Sequence, residues 1–106
     1  LKNLLPVVKQ WLNPTTASVV ALIKPQFEAG REEAARGAGV IRDQRVHKQV
    51  LLKVLEFSED HNFDVKGLIM SPIKGPKGNI EFLVHLGMPK IHKTEMTELV
   101  NKVLAE

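Results

Sequence analysis

Lys24 and Glu81 are the two side chains whose types and places in the sequence best suit them to do chemistry together. Lys24 closes an apolar strand, and Glu81 stands with Asn79 at the start of another. In open α/β sheets, ligands gather at the carboxyl ends of the parallel strands. An antiparallel strand begins at that same edge, so Lys24 and Glu81 are expected to meet there despite their separation along the chain. A lysine held near an apolar strand end and another cation has a lowered pKa and can take or steer a proton, while a glutamate orients it. The same pair also fits a snorkelling lysine beside a solvated glutamate, or a purely structural ion pair. Spacing leaves both readings open.

Around that edge the sequence places two basic loops. Arg31, Arg36 and Arg42 lie in the first, and Lys74 and Lys77 in the second. They could hold phosphates, or simply keep the loops solvated. Phe27 could stack on a base, but a phenylalanine directly after a buried strand more often joins the core, and it is expected there. His47, His61, His85 and His92 show neither metal-ligand spacing nor an acidic partner at i+4, so they read as structural or surface groups and no metal is expected. Trp11 is expected at a helix edge, and Met70, Met88 and Met96 as core fillers.

The elements that must position these residues follow from periodicity. Residues 1 to 12 read as an amphipathic helix, with Leu1, Leu4, Leu5, Val8 and Leu12 on one stripe and Pro6 tolerable in the first turn. Residues 18 to 24 are apolar on both alternating faces, as a buried parallel strand requires, and Pro25 stops them. Residues 26 to 43 read as a long loop. A helix from about 44 to 61 carries Val46, Val50, Leu51, Val54 and Leu55 on its apolar stripe, with Asp43 as N-cap. Residues 65 to 70 form a second strand, 71 to 79 a turn-rich loop and 80 to 86 a third strand. The short connection makes the second and third strands antiparallel neighbours. Thr94 is expected to cap a last helix carrying Met96, Leu99, Val100, Val103 and Leu104.

The resulting fold class is α/β. A strand, crossover helix and strand make a right-handed unit, with strands one and two parallel and strand three opposed to them. The first strand is too apolar for an edge, so more sheet is expected from other residues or from self-association through the exposed edge.

Composition sets the outer limits. The 106 residues suffice for one domain, and 43% hydrophobic against 25% charged residues excludes disorder and fibrous repeats. There are no cysteines, which removes disulfides and thiolate chemistry and fits a reducing, cytoplasmic setting. The longest apolar run, Val19 to Ile23, cannot span a bilayer, and no signal segment opens the chain. A net charge of +3 leans toward anionic partners. The chain begins with Leu1 inside an apolar stripe, as a fragment would.

The run Leu22-Ile23-Lys24-Pro25-Gln26-Phe27-Glu28-Ala29-Gly30-Arg31, then Val40-Ile41-Arg42-Asp43 and His47, then Ser71-Pro72-Ile73, Gly75-Pro76 and Gly78-Asn79-Ile80-Glu81-Phe82, resembles the TlyA-type hemolysin and ribosomal RNA methyltransferase family. That family resembles FtsJ-like 2′-O-ribose methyltransferases joined to an N-terminal S4 RNA-binding domain, and the resemblance covers about residues 1 to 87. It implies a partial Rossmann-like methyltransferase fold with parallel strands, a final antiparallel strand and helices on both faces. It makes residues 1–106 a single domain, the C-terminal portion of the catalytic one. It implies S-adenosylmethionine as cofactor and ribosomal RNA as partner. The family's Lys-Asp-Lys-Glu tetrad maps its second lysine onto Lys24 and its glutamate onto Glu81. Its glycine-rich cofactor turn and catalytic aspartate have no counterpart, and no G-x-G-x-x-G follows a strand, so the cofactor-binding residues are unknown. Gln44 stands where the family more often has proline, and the 33 to 39 stretch departs from its common Lys/Gly-rich form. The rival classes are a non-catalytic RNA- or protein-binding module, and membrane lysis, which rests only on the name hemolysin.

Overall fold

The computed structural model describes residues 18–30, 37 and 39–106. Strand β1 (Ser18–Ile23) is built from β-branched and apolar residues. Residues after it form a single helical turn, α1 (Pro25–Glu28), where a loop was expected. Proline at N1 is preset for a helix, and the Lys24 carbonyl accepts from Phe27 N at 2.9 Å and Glu28 N at 3.0 Å. Helix α2 (Gln44–Asp60) is capped as expected, Asp43 Oδ1 accepting from Arg45 N at 2.9 Å. It ends near Asn62, which adopts the left-handed conformation asparagine tolerates, at φ 66°. Strand β2 (Asp64–Met70), a 3-10 turn (Pro76–Gly78), strand β3 (Phe82–Gly87) and helix α3 (Met96–Leu104) complete the order. Thr94 does not cap α3. Glu95 occupies that place without a side-chain bond, and Thr94 N instead donates to Glu59 Oε2 at 3.4 Å. The helix expected over 1 to 12, with Trp11, lies outside the described residues.

The sheet order is β1-β3-β2, with both pairings antiparallel. β1 and β2 run in the same direction, but they are not neighbours, so the expected parallel ladder is absent among the described residues. The cause is the width of the crossover. A helix is about 10 Å across and strands lie about 4.8 Å apart, so α2 carries the chain past one vacant strand position. The short return through residues 71 to 81 then brings β3 back into the gap.

One face of this sheet meets both helices. Ile23, Leu68, Phe82, Val84 and Leu86 form a single buried cluster with Leu51, Val54 and Leu55 of α2 and Val100 and Val103 of α3. Met88 belongs to the same cluster. Burying each large side chain contributes roughly 1.5 to 3 kcal/mol. On the other face Val20 is 64% and Ile69 51% exposed. Helices were expected on both faces; among the described residues they cover one. Strand β1, apolar enough for an interior position, lies at the edge of the described sheet.

The segment between β3 and α3 is held by the buried acids Glu59 and Asp64 and by the Asn62 amide. Asn62 Oδ1 accepts from Lys90 N at 3.2 Å, Glu59 faces Lys90 Nζ at 3.4 Å, and Asp64 accepts from His92 N at 3.2 Å and faces His92 Nδ1 at 3.3 Å. Burial opposes ionisation of Asp64, but the bonds from the His92 ring and backbone, with the nearby charges of His92 and Lys66, outweigh it and hold the carboxyl below its usual range. A depressed folded pKa stabilises above the unfolded value of roughly 3.9 and ceases to do so as pH falls through the folded value. Asp64→Asn is therefore expected to be less stable than the parent at neutral pH, with the gap closing below about pH 4. Denaturant midpoints measured across that range check this; a gap that stays constant would sink the assignment.

Candidate functional site

The register of β1 and β3 sets the site. Ile23, the last residue of β1, is paired with Phe82, the first of β3. Lys24 and Glu81 are the next positions outward on the two strands, so their side chains reach each other beyond the sheet end. Lys24 Nζ lies 3.3 Å from Glu81 Oε2 and 3.5 Å from Oε1. The lysine side chain is 37% exposed and the glutamate 4%. The cation thus faces solvent while its partner is enclosed.

Neighbouring groups fix the carboxylate. Gln26 Nε2 donates to Glu81 Oε2 at 2.8 Å. Gly75 packs so closely against the same carboxylate that a Cβ there would collide with it. The Glu81 carbonyl accepts from Ser71 N at 2.8 Å, tying the strand start to the preceding loop.

Asn79 joins the two loops. It is 2% exposed; its Oδ1 accepts from Ile41 N at 2.9 Å, and its Nδ2 donates to Gly39 O at 2.8 Å and Pro76 O at 2.9 Å. From the helix side, His47 is 2% exposed and donates through Nε2 to Ile41 O at 2.9 Å, its ring edge-on to Phe82. Arg42, Lys74 and Lys77 are exposed beside these anchors. Lys77 lies against Gly39, so residues from both basic loops adjoin. Arg31 and Arg36 fall outside the described residues.

Phe27 is not in the core. It is 72% exposed, with its ring centroid 6.0 Å from Lys24 Nζ. The helical turn started by Pro25 turns Gln26 inward and Phe27 outward, a reversal that a loop reading could not supply.

A protein-family model described as FtsJ-like methyltransferase matches residues 3–88. The chain belongs to the FtsJ-like methyltransferase family. It is 47% identical over 89 residues to the Bacillus subtilis protein named "Putative rRNA methyltransferase YqxC", covering 84% of this chain and 31% of that one. It is 34% identical over 70 residues to the Mycobacterium tuberculosis "16S/23S rRNA (cytidine-2′-O)-methyltransferase TlyA", covering 66% of this chain and 26% of that one. A solved structure, "a putative hemolysin from Lactococcus lactis", superposes with a TM-score of 0.79 at 45% identity, covering 95% of this chain and 49% of that one. The chain therefore spans about a third or less of the curated relatives it matches.

FtsJ-like methyltransferases generally use S-adenosylmethionine. The described residues do not form its cradle: no glycine-rich strand-to-helix turn is present among them, and Lys24 Nζ, Gln26 Nε2 and the Glu81 carboxylate are engaged with one another. No group of three or more metal-ligating side chains converges among the described residues, and no described helix is long and apolar enough to cross a membrane.

Gln26, Gly75 and His47 were not identified as site residues from sequence. The signals were slight. Gln26 is a polar residue just after Pro25, and Gly75 precedes a proline, which marks a turn but not its contact with Glu81.

Proposed function

We propose that this chain forms the ribose-handling part of an S-adenosylmethionine-dependent ribosomal RNA 2′-O-ribose methyltransferase of the cytoplasm. The observation that carries this reading is the Lys24–Glu81 pair, at 3.3 Å, at the strand ends of an FtsJ-like domain. The name of the tuberculosis relative, which specifies a cytidine 2′-oxygen, supports the same atom as target.

A 2′-hydroxyl must lose its proton to become a good nucleophile. Lys24 in its amine form receives that proton, so the ammonium paired with Glu81 is the state after transfer, stabilised by that carboxylate. Because Glu81 is enclosed and Lys24 is not, the lysine is the group that reaches the ribose. Acting on the 2′-hydroxyl also selects RNA over DNA. Arg42, Lys74 and Lys77, with Arg31 and Arg36, hold backbone phosphates, and the exposed Phe27 offers a face to a base.

The test uses the whole protein with methyl-labelled S-adenosylmethionine and ribosomal RNA. The expected product carries label on a ribose oxygen and resists alkaline cleavage on its 3′ side, because the 2′-oxygen that attacks the phosphate is blocked. Label on a base would overturn the reading, as would failure to transfer it to RNA.

A further inference from the structure

Gln26 is more deeply buried than its type requires, and half of its amide is unsatisfied. It is 7% exposed, and while Nε2 donates to Glu81 Oε2 at 2.8 Å, the buried Oε1 has no hydrogen-bond partner. Such stranded acceptors are rare in folded proteins and call for a cause. Here the cause is Glu81. Turning the amide over would aim a carbonyl oxygen at a carboxylate oxygen, so the carboxylate dictates which end of the amide faces it. An arrangement chosen for stability alone would put an apolar side chain of similar length in this place.

We infer that Gln26 is a positioning residue for the proposed catalytic pair: it holds Oε2 of Glu81, so that Oε1 and the exposed Lys24 amine remain to work at the ligand side. Oε2 is enclosed by Gln26, Lys24 and the close-packed Gly75, whereas Oε1 is approached by Lys24 alone among the bonds described, at 3.5 Å. Without the amide, the carboxylate can rotate about its terminal torsion, and Lys24 follows it out of line. The inference rests on the methyltransferase reading, since it assigns Gln26 a task only through that pair.

The experiment compares four forms of the whole protein in methyl transfer to ribosomal RNA: parent, Gln26→Met, Glu81→Gln and the double variant. Gln26→Met is expected to lower kcat about 10-fold, with KM for RNA and the melting temperature little changed. Combined with Glu81→Gln it should cause no further loss, because Gln26 acts only through Glu81. Should Gln26→Met fold poorly, Gln26→Glu gives a second reading: its activity relative to the parent should rise as pH falls, since protonation returns a donor to that position. An unchanged kcat, a loss that adds in full to that of Glu81→Gln, or a pH-independent Gln26→Glu ratio overturns the inference. Full turnover in Glu81→Gln overturns the functional reading instead. An inactive Glu81→Gln beside a fully active Gln26→Met overturns only the role of Gln26.

Discussion

Lys24→Ala in the whole protein is expected to reduce methyl transfer by about 10³-fold, within the range that loss of a general base produces. Affinity for S-adenosylmethionine should be nearly unchanged, because the described contacts of Lys24 are to Glu81 and to the Phe27 ring, neither of which builds a cofactor cradle. The alanine variant also leaves an enclosed carboxylate without its cation, which costs roughly 1 to 3 kcal/mol of stability and could be mistaken for a catalytic effect. Lys24→Arg separates the two. Arginine keeps the charge beside Glu81 but stays protonated in proteins, so the fold should hold while turnover is lost. Single-turnover rates and isothermal titration with the cofactor check both variants. Turnover of Lys24→Arg within a few-fold of the parent would remove Lys24 from proton transfer.

The second large effect is expected at Asn79. Its side chain makes three hydrogen bonds from a nearly sealed position, to Ile41 N, Gly39 O and Pro76 O. Asn79→Ala strands Ile41 N and Gly39 O, while Pro76 O keeps its bond from the Asn79 backbone N–H at 3.1 Å; at about 1 kcal/mol for each stranded group the loss is about 2 kcal/mol. Because the bonds join two loops, RNA affinity should fall alongside stability as Arg42 and Lys77 cease to be held together. Asn79→Asp is expected to be at least as harmful at neutral pH, since a carboxylate cannot donate to either carbonyl. That variant should regain stability as the pH is lowered: a buried acid with a raised folded pKa destabilises only where it must ionise. Urea denaturation at neutral and mildly acidic pH checks the order. If Asn79→Ala unfolds at the parent's urea concentration, the clamp contributes nothing.

Much of this geometry can be read from strand direction alone. The meeting of Lys24 with Glu81 needs only that one strand end where an opposed strand begins, and alternation with proline punctuation reveals both ends. Helix α2 is equally legible, because its stripe and its Asp43 cap are local signals. What sequence could not supply depends on distances between elements. The position of β3 between β1 and β2 follows from the breadth of a crossover helix, which leaves no mark in the residue pattern. Gln26 and Asn79 act through amide groups whose partners are fixed only when loops close. Phe27, expected in the core because it directly follows a buried strand, lies outside it because one helical turn exchanges inside for outside between adjacent residues. Thr94 has the right type for a cap, but its backbone N–H is held by the buried Glu59 and the helix begins one residue later, after Glu95.

The central place of β3 also bears on how the molecule is made. Within the described residues, β1 and β2 each form a ladder with β3 and with no other strand, and β3 is the last of the three to be synthesised. As the nascent polypeptide emerges, the edges of β1 and β2 that pair with β3 stay hydrated until Gly87 has cleared the exit tunnel. Closure of these three strands is therefore a late event rather than a strand-by-strand extension, and a chain released before that residue would present both of those edges unpaired.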